Sequence, residues 1–261
     1  MIKQTKAIDG LRELPDDSVD LIFGSPPYED ARLNDGEGTV LKGEDWVRWM
    51  VEVCEESRRV CKGLVAYVVE GRTRKFDYSG TPFLLFADLK RAGFKMRKIP
   101  IYKRNGIPGS GGPDWLRNDY EPIICFAKGK LPWSKNTACG KPPKYKRGGG
   151  ASHRKRNGER VASPKYANVK IANPGNVVDC GAVGGGNIGS HLAHQNEAPF
   201  SIKLPMFFIK SFCPPDGTVL DPFSGSGTTL AVAKRLGRNW IGFDVRESQV
   251  DLTKRRLGID G

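Results

Sequence analysis

The chain has 261 residues, which is enough for one large domain, or one domain with an insertion, to bury a substantial core. Its formal net charge of +13 favours a polyanionic partner. No apolar run approaches the roughly 20 residues of a membrane span, and residues 1–5 lack the apolar core of a signal peptide, so we expect a cytoplasmic protein. The six cysteines form no Cys-x-x-Cys pair, which predicts reduced thiols and neither a zinc site nor a disulfide framework.

The first chemical motif is a tetrapeptide that follows a short apolar strand at 20–24. This motif is Ser25-Pro26-Pro27-Tyr28. Two consecutive prolines fix the backbone as a rigid, extended turn and remove two N–H donors. The remaining acceptors, the Ser25 hydroxyl and nearby carbonyls, lie next to an aromatic face and would suit a planar NH2 group. An ordinary turn after a strand is the alternative interpretation.

The next hundred residues alternate between helical and extended patterns, which is typical of an α/β domain. The apolar spacing predicts helices at 45–60 and 82–92, a doubly buried strand at 63–70, and a strand pair at 98–103 and 121–127. Glu121 begins the last of these strands. A surface charge and a functional carboxylate are equally good interpretations of it.

The middle of the chain, at 131–190, is rich in glycine and proline and has almost no periodic apolar pattern. From Lys128 to Lys170 there are thirteen Lys and Arg residues and one acid, Glu159. A solvated basic loop is one interpretation. Contact with nucleic acid is the favoured one, because each Lys or Arg that meets a phosphate releases condensed counterions. The candidate DNA-binding residues are Lys141, Lys144, Lys146, Arg147, Arg154, Lys155 and Arg156.

The second chemical motif is a glycine-rich turn after a strand that ends at Asp221. An apolar helix is predicted at 202–212 before it, and a further helical pattern follows the turn. Glycines at 225 and 227 would let the backbone pass close to a ligand at the helix N-terminus. A phosphate-binding P-loop would need lysine where Thr228-Thr229 stand, and the dinucleotide fingerprint would need a small residue at Leu230. A tight turn without a ligand is the alternative.

A second acidic residue supports a nucleoside ligand. The segment 238–244 is predicted to be the next parallel strand and ends at Asp244, where doubly wound sheets commonly hold a ribose. An adenosine half without pyrophosphate points to S-adenosyl-L-methionine as cofactor. The candidate cofactor-binding residues are Asp221, Pro222, Phe223, Ser224, Gly225, Ser226, Gly227, Thr228 and Asp244.

Together, the two motifs resemble those of the DNA amino-methyltransferases, which modify exocyclic amines of adenine or cytosine. With the tetrapeptide first, a basic insertion in the middle and the glycine loop last, the chain resembles the β-class permutation of that family. The resemblance covers most of the chain outside roughly 131–190, and includes the lead-in at 14–22 and the Tyr-Glu pair at 120–121.

The resemblance implies an α/β, Rossmann-like methyltransferase fold with a mixed, mostly parallel sheet, helices on both faces and a circularly permuted order. The strand pair 98–103 and 121–127 would form an antiparallel edge. The chain would divide into a catalytic half at 1–130, a target-recognition insertion at 131–190 and a cofactor-binding half at 191–261. The resemblance also implies a cofactor contact from His194 and a possible homodimer.

The mechanism implied is direct methyl transfer to a base rotated out of duplex DNA. Ser25 and the Pro26 carbonyl would hold the amine in line with the methyl group while the base stacks on Tyr28. In the family a serine at this position leans toward N4 of cytosine, with N6 of adenine as the alternative. No cysteine directly follows a proline, so methylation at cytosine C5 is rejected. The rival functions are an RNA or protein amino-methyltransferase and an inactive DNA-binding homologue.

Overall fold

The computed structural model describes residues 1–30, 40–105, 113–143, 152–162, 169–182 and 200–259. Its strands are β1 (Ile2–Gln4), β2 (Val19–Gly24), β3 (Cys61–Val68), β4 (Thr73–Arg74), β5 (Asp77–Tyr78), β6 (Lys95–Met96), β7 (Ile101–Asn105), β8 (Tyr120–Ala127), β9 (Ser152–Arg154), β10 (Arg160–Ala162), β11 (Val177–Ala182), β12 (Thr218–Asp221) and β13 (Asn239–Asp244). Its helices are α1 (Ala7–Arg12), α2 (Gly43–Val60), α3 (Thr81–Arg91), α4 (Lys203–Phe212), α5 (Thr228–Arg235) and α6 (Glu247–Leu257).

The described residues build a nine-stranded sheet with the order β1-β13-β12-β2-β3-β8-β7-β11, and β6 also pairs with β8. The first five strands in this order are parallel, β8 is antiparallel to both β3 and β7, and β11 is parallel to β7. In the centre, Ile22 of β2 pairs with Leu220 on one side and Val65 on the other. The predicted mixed, mostly parallel sheet is therefore confirmed.

Helices cover both faces of this sheet, as expected. On one face, α1, α2 and α3 bury a cluster that includes Met50 and Leu85, and on the other face α4 and α5 bury one that includes Phe208 and Val232. The helix α2 presents its apolar residues every three or four positions, so a single stripe of the helix lies in the core. The strand β3 is buried at every position except Lys62, because helices cover both of its faces.

The expectation that β7 and β8 form the edge of the sheet is wrong. They do pair antiparallel, but β11 continues the sheet beyond β7. Buried Val178 and Cys180 alternate there with exposed Val177 and Asp179, a pattern too short to stand out in a glycine-rich sequence. Residues 177–182 of the segment 131–190 are thus part of the main sheet. The three-part division of the chain stays a prediction.

The two elements at the N-terminus were not predicted. The strand β1 adds to the sheet beside β13, pairing Ile2 with Gly242, and α1 follows it after two residues. A three-residue strand carries no measurable period-2 pattern, so its place depends on the exposed edge of β13.

No helix within the described ranges is long and apolar enough to cross a membrane. All six cysteines are free thiols, and all but Cys139 are buried.

Candidate active site

The two sequence motifs lie side by side at one edge of the sheet. The tetrapeptide follows the carboxyl end of β2, and the glycine loop follows the carboxyl end of its parallel neighbour β12. The approach is so close that a Cβ on Gly24 would overlap the Asp221 carboxylate. Ligands of open parallel sheets bind outside the carboxyl ends of the strands, which is where both motifs are found.

A cavity of about 860 Å3 opens at this edge and is lined by both motifs. Ligand pockets commonly span roughly 300–1,000 Å3, so this one has room for a nucleoside-sized cofactor and a base together. The predicted site residues that line it are Ser25, Pro26, Pro27, Tyr28, Pro222, Phe223, Ser224, Gly225, Ser226, Thr228 and Asp244. Asp221 is fully buried beneath Gly24.

A chain of hydrogen bonds runs through the tetrapeptide to a buried ion pair. Ser25 Oγ lies 3.3 Å from Tyr28 Oη and 3.3 Å from the Val68 carbonyl oxygen. Tyr28 Oη donates to Glu121 Oε2 at 2.9 Å. The other oxygen of Glu121 accepts from the Arg104 guanidinium. Glu121 is only 4% exposed, so the carboxylate that the sequence left undecided belongs to the site.

The protonation state of Tyr28 decides which atom is the donor in each of these hydrogen bonds. Burial raises the pKa of Tyr28 well above its ordinary value, and the charge of Glu121 raises it further. Tyr28 is therefore a neutral phenol at pH 7 and donates its proton to the carboxylate, which can only accept. The Tyr28 oxygen and the Val68 carbonyl are then the two acceptors that share the single Ser25 hydroxyl proton. The lone pairs of Ser25 Oγ remain available for an N–H donor.

The backbone after the prolines is anchored from behind by residues that sequence reasoning missed. The Trp46 indole N–H donates to the Pro27 carbonyl oxygen at 2.9 Å. The buried Glu29 carboxylate accepts from the Arg72 N–H at 2.7 Å, the Gly43 N–H at 3.1 Å and the Thr81 hydroxyl at 3.2 Å. Glu29 thus joins the loop after the tetrapeptide to α2, to α3 and to the segment after β3.

The two acidic strand ends hold the glycine loop. Asp221 Oδ1 accepts from the Phe223 N–H at 3.0 Å, and burial raises the pKa of Asp221 to about 7. Asp244 lies one strand further along the sheet. Its two oxygens accept from the Gly225 N–H at 2.9 Å and the Arg246 N–H at 3.0 Å. Asp244 therefore positions the loop and at the same time lines the cavity.

The helix α6 braces the loop from outside the cavity. Gly227 has φ of +72°, and a Cβ there would lie 2.7 Å from Thr253. The Thr253 hydroxyl donates to the Gly225 carbonyl at 2.9 Å. Arg256 donates to the Ser226 carbonyl at 3.0 Å and the Thr228 hydroxyl at 2.8 Å. Burial lowers the pKa of Arg256 to about 10, so it remains a cation at neutral pH. No local pattern marked these residues.

The N-terminal elements form a further wall of the cavity that was not predicted. The turn after β1 and the first turns of α1 contribute Thr5, Lys6, Ala7, Ile8, Asp9 and Arg12 to the lining. They reach it because the Thr5 N–H donates to the Asp244 carbonyl at 3.0 Å, which continues the β1–β13 pairing past its last residue. Only the strand order places this segment beside the C-terminal motif.

Three of the predicted DNA-binding residues lie outside the described ranges: Lys144, Lys146 and Arg147. The predicted cofactor contact His194 also lies outside them. Arg154, Lys155 and Arg156 are exposed on the antiparallel hairpin of β9 and β10, and Lys141 is exposed before it. Lys155 also pairs with Glu159 at 3.2 Å. Their roles stay predictions. Among the residues that the structure describes, no cluster of three or more His, Cys, Asp or Glu side chains is placed to hold a metal.

A family model described as DNA methylase matches residues 19–255. The chain is 30% identical over 252 residues to the orphan methyltransferase M.BamHII of Bacillus amyloliquefaciens, covering 93% of this chain and 89% of that protein. It is 29% identical over 254 residues to the DNA adenine methyltransferase YhdJ of Escherichia coli (strain K12), covering 97% of this chain and 81% of the relative.

Solved structures show the same fold. The PvuII DNA methyltransferase (cytosine-N4-specific) aligns with a TM-score of 0.73 at 20% identity, covering 98% of this chain and 85% of that chain. A complex of M1.HpyAVI with SAM aligns with a TM-score of 0.59 at 18% identity, covering 98% of both chains. The predicted Rossmann-like architecture is confirmed by these neighbours.

Proposed function

The chain belongs to the DNA methylase family, whose members are S-adenosylmethionine-dependent amino-methyltransferases, and from this membership we propose that it methylates the exocyclic amine of a base in duplex DNA. We favour N4 of cytosine as the target, because Ser25 stands where the family's cytosine enzymes commonly have serine. N6 of adenine is the alternative, and the names of the matched proteins include both bases.

The observation that carries the proposal is the shared cavity of the two motifs. The Ser25 hydroxyl, a hydrogen-bond acceptor, and the Asp244 carboxylate line the same cavity of about 860 Å3. A base that enters from one side and a nucleoside cofactor that enters from the other would therefore meet within the cavity. Direct transfer between two bound molecules requires this kind of proximity.

The residues present fit S-adenosyl-L-methionine. The carboxylate of Asp244 suits ribose hydroxyls, and the apolar side chains of Phe223, Ile8 and Val245 in the cavity suit the faces of a purine ring. The glycine loop at the N-terminus of α5 would approach the rest of the molecule with its backbone. When bound, the cofactor supplies an electrophilic methyl group on a sulfonium.

The chain's own residues would then position the amine. Its two N–H groups donate to Ser25 Oγ and to the Pro26 carbonyl, and the ring of Tyr28 stacks on the base. These hydrogen bonds leave the nitrogen lone pair directed toward the methyl group. The nitrogen releases one proton to water after transfer, so no protein nucleophile is used. The rigidity of Pro27 and the Trp46 bond to its carbonyl keep this geometry in place.

Glu121 and Arg104 act behind Tyr28. Arg104 keeps the Glu121 carboxylate oriented, and Glu121 accepts the hydrogen bond that the Tyr28 hydroxyl donates. Burial works against the charge of Arg104, but the attraction of Glu121 outweighs it and raises the Arg104 pKa. In this arrangement Tyr28 cannot donate toward Ser25, so Ser25 remains an acceptor for the substrate amine.

The test is transfer of tritiated methyl groups from S-adenosylmethionine to native plasmid DNA, followed by separation of the nucleosides. We expect N4-methylcytosine, with label reduced roughly 10- to 100-fold in Ser25→Ala, as the loss of one aligned acceptor hydrogen bond predicts. N6-methyladenine alone would overturn the cytosine preference. Label on RNA or protein but not on DNA would overturn the DNA substrate, and cofactor binding without any transfer would favour an inactive homologue.

The basic segment within 131–190 binds DNA phosphates and reads the target sequence, with Lys141 and Arg154 to Arg156 as its described contacts and Lys144, Lys146 and Arg147 outside the described ranges. His194 contributes to the cofactor site. The protein acts in the cytoplasm in restriction–modification and forms a homodimer. Sedimentation velocity with and without DNA tests the dimer, and a single monomeric species at all concentrations would contradict it.

A further inference from the structure

A small hairpin extends from residues that line the cavity. Its strands are β4 and β5, joined by the two-residue turn Lys75-Phe76. Backbone pairing extends one residue further down, where the Ser79 N–H donates to the Arg72 carbonyl at 2.9 Å. The residues at its base, Glu70, Gly71 and Arg72, line the cavity.

The hairpin is attached to the residues that directly follow Tyr28. Arg74 forms an ion pair with Asp30, and the Ser79 hydroxyl donates to Glu29. The Tyr78 hydroxyl donates to Glu70 at 2.9 Å. The hairpin therefore has a defined position relative to the tetrapeptide rather than an independent one.

The turn at its tip is unfavourable for the residues that occupy it. Lys75 has φ of +48° and Phe76 has φ of +67°, a combination for which two-residue hairpins strongly prefer Asn-Gly. Side chains with a Cβ adopt this region at a cost, and such strain concentrates at functional sites. Phe76 gains no packing in return, because it is 78% exposed.

Three cationic side chains lie within four residues of Phe76, and one exposed carboxylate, Asp77, follows it and pairs in register with Arg74. Lys75 is the neighbour of Phe76 in the turn, and the side chains of Arg72 and Arg74 are 54% and 64% exposed. A guanidinium has five N–H donors, so Arg74 can bind a further anion while it contacts Asp30. An exposed aromatic ring flanked by cations matches the chemistry of proteins that insert an apolar wedge between base pairs and hold the adjacent phosphates.

We propose that the β4–β5 hairpin inserts Phe76 into the DNA duplex next to the target base, while Arg72, Arg74 and Lys75 bind the flanking phosphates. This inference rests on the proposed function and adds the element that opens the duplex. Phe76 lies four residues beyond Arg72, which corresponds to about 13 Å at the rise of a strand. That reach suits a wedge that fills the gap in the stack while the displaced base enters the cavity beside Arg72.

The experiment compares three variants of the full chain with the wild type. Phe76→Ala removes the wedge, Phe76→Trp keeps a ring that can stack, and Phe83→Ala removes another exposed phenylalanine, one that lines a separate groove beside β7 and β8. The recognition site is first mapped on methylated plasmid. Duplexes with 2-aminopurine at the target position then report base rotation as an increase in fluorescence. Circular dichroism and titration with S-adenosylmethionine check the fold and the cofactor site.

We expect Phe76→Ala to lower the methylation rate of duplex DNA roughly 10- to 100-fold and to abolish the fluorescence increase at saturating protein. Phe76→Trp should keep both signals, and Phe83→Ala should behave as the wild type. The fold and the affinity for S-adenosylmethionine should be unchanged in all three variants.

The inference is overturned if Phe76→Ala methylates duplex DNA at the wild-type rate, if it loses rate but keeps the fluorescence increase, or if Phe83→Ala is equally impaired. A concentration-dependent loss of dimer in Phe76→Ala with normal fluorescence would assign the tip to a protein interface instead. If the wild type itself transfers no methyl group to DNA, it is the proposed function that fails.

Discussion

Ser25 takes its chemical role from atoms contributed by distant parts of the chain. A serine hydroxyl alone is both donor and acceptor, and the sequence cannot say which function it serves toward a ligand. Here the Val68 carbonyl and the Tyr28 oxygen both accept from it, and Tyr28 is turned in this direction by Glu121, 93 residues away. The polarity of the site thus depends on the ion pair of Glu121 with Arg104, which the Tyr28 hydroxyl joins to Ser25.

We expect Glu121→Gln to lower kcat about tenfold and to leave the affinity for S-adenosylmethionine unchanged, because an amide can donate to Tyr28 as well as accept from it. In a Tyr28→Phe background the same change should have less than about a threefold effect, since the hydroxyl through which it acts is gone. Steady-state kinetics of the four proteins gives this double-mutant cycle.

The control for this cycle is Asp179→Asn. It breaks the 3.4 Å ion pair between Lys103 of β7 and Asp179 of β11. Neither residue lines the cavity. Asp179→Asn should leave kcat unchanged. A purely structural role for Glu121 would give equal losses in both backgrounds, together with a parallel fall in the free energy of unfolding measured in urea.

Asp221 makes the free energy of unfolding depend on pH. Its pKa of about 7 lies above the ordinary value of 3.8 because the carboxyl is buried. Between these values the folded state holds a proton that the unfolded state has lost. The contribution of Asp221 to stability is therefore fully present below about pH 4 and declines as pH rises toward 7.

Asp221→Asn removes this dependence while an oxygen remains for the Phe223 N–H. From pH 5 to pH 8, the wild type should lose roughly 2–3 kcal/mol of unfolding free energy relative to the variant. Urea denaturation at both values measures the difference. Asp216→Asn, at an exposed position, is the control and should follow the wild type. Identical pH profiles for wild type and Asp221→Asn would contradict the buried, protonated state.

At the scale of elements, the glycine loop is held between two strand ends and the helix α6. Asp244 fixes Gly225 from the strand side, and Thr253 and Arg256 fix the loop from the helix side. The close approach of α6 leaves no room for a side chain at Gly227. The shape of the predicted cofactor site is therefore set by three elements rather than by the loop alone.

A matched pair of substitutions separates backbone strain from this contact. Gly227 and Gly237 have φ of +72° and +68°, but a Cβ at Gly227 would meet Thr253 at 2.7 Å, whereas a Cβ at Gly237 would meet nothing within 4 Å. Gly237→Ala should destabilise the protein by about 1 kcal/mol, and Gly227→Ala by roughly 2–4 kcal/mol. Thermal unfolding measures both.

The two variants should also differ in their affinity for S-adenosylmethionine. We expect weaker binding of S-adenosylmethionine to Gly227→Ala by calorimetry and unchanged binding to Gly237→Ala, which lies at the far end of α5. Equal affinities would show that the loop adapts to the added methyl group and that α6 does not set its shape.

In the molecule as a whole, the site lies at the carboxyl ends of the parallel strands, and the amino ends of these strands lie on the opposite side of the sheet. The helix α3 begins next to Glu29, where Thr81 donates to it, and runs away from the cavity toward Arg91. Cations at the end of α3 therefore lie far from the site, whereas those of the β9–β10 hairpin belong to the basic segment.

Replacing Arg154, Lys155 and Arg156 together by glutamine should weaken DNA binding and reduce the slope of log K against log salt by up to about 2.7, because each phosphate contact contributes about 0.9. The affinity for S-adenosylmethionine should not change. Fluorescence anisotropy at several salt concentrations measures the slope. The same change at Lys90, Arg91 and Lys95 is the control. Equal slopes for the two triple variants would show that the β9–β10 hairpin does not contact DNA.

The two motifs, the strands that carry them and the alternation of helices and strands could all be predicted from short stretches of sequence. These are local properties, since a rigid Pro-Pro turn, a glycine pair with positive φ and an apolar period of 2 or 3.6 are written in adjacent residues. Because both motifs end parallel strands, even their meeting at one edge of the sheet could be expected.

The other residues that complete the site are brought there by the fold of the whole chain. Glu121 reaches Tyr28, and Arg104 reaches Glu121. Residues 5–9 and Arg12 reach the cavity wall, and Arg256 reaches the glycine loop, because of the strand order and the packing of α6. Strand order and helix packing are set by burial and pairing across the whole chain, and no short stretch encodes them. The same reason explains why β11 was hidden within a segment whose composition predicts a loop.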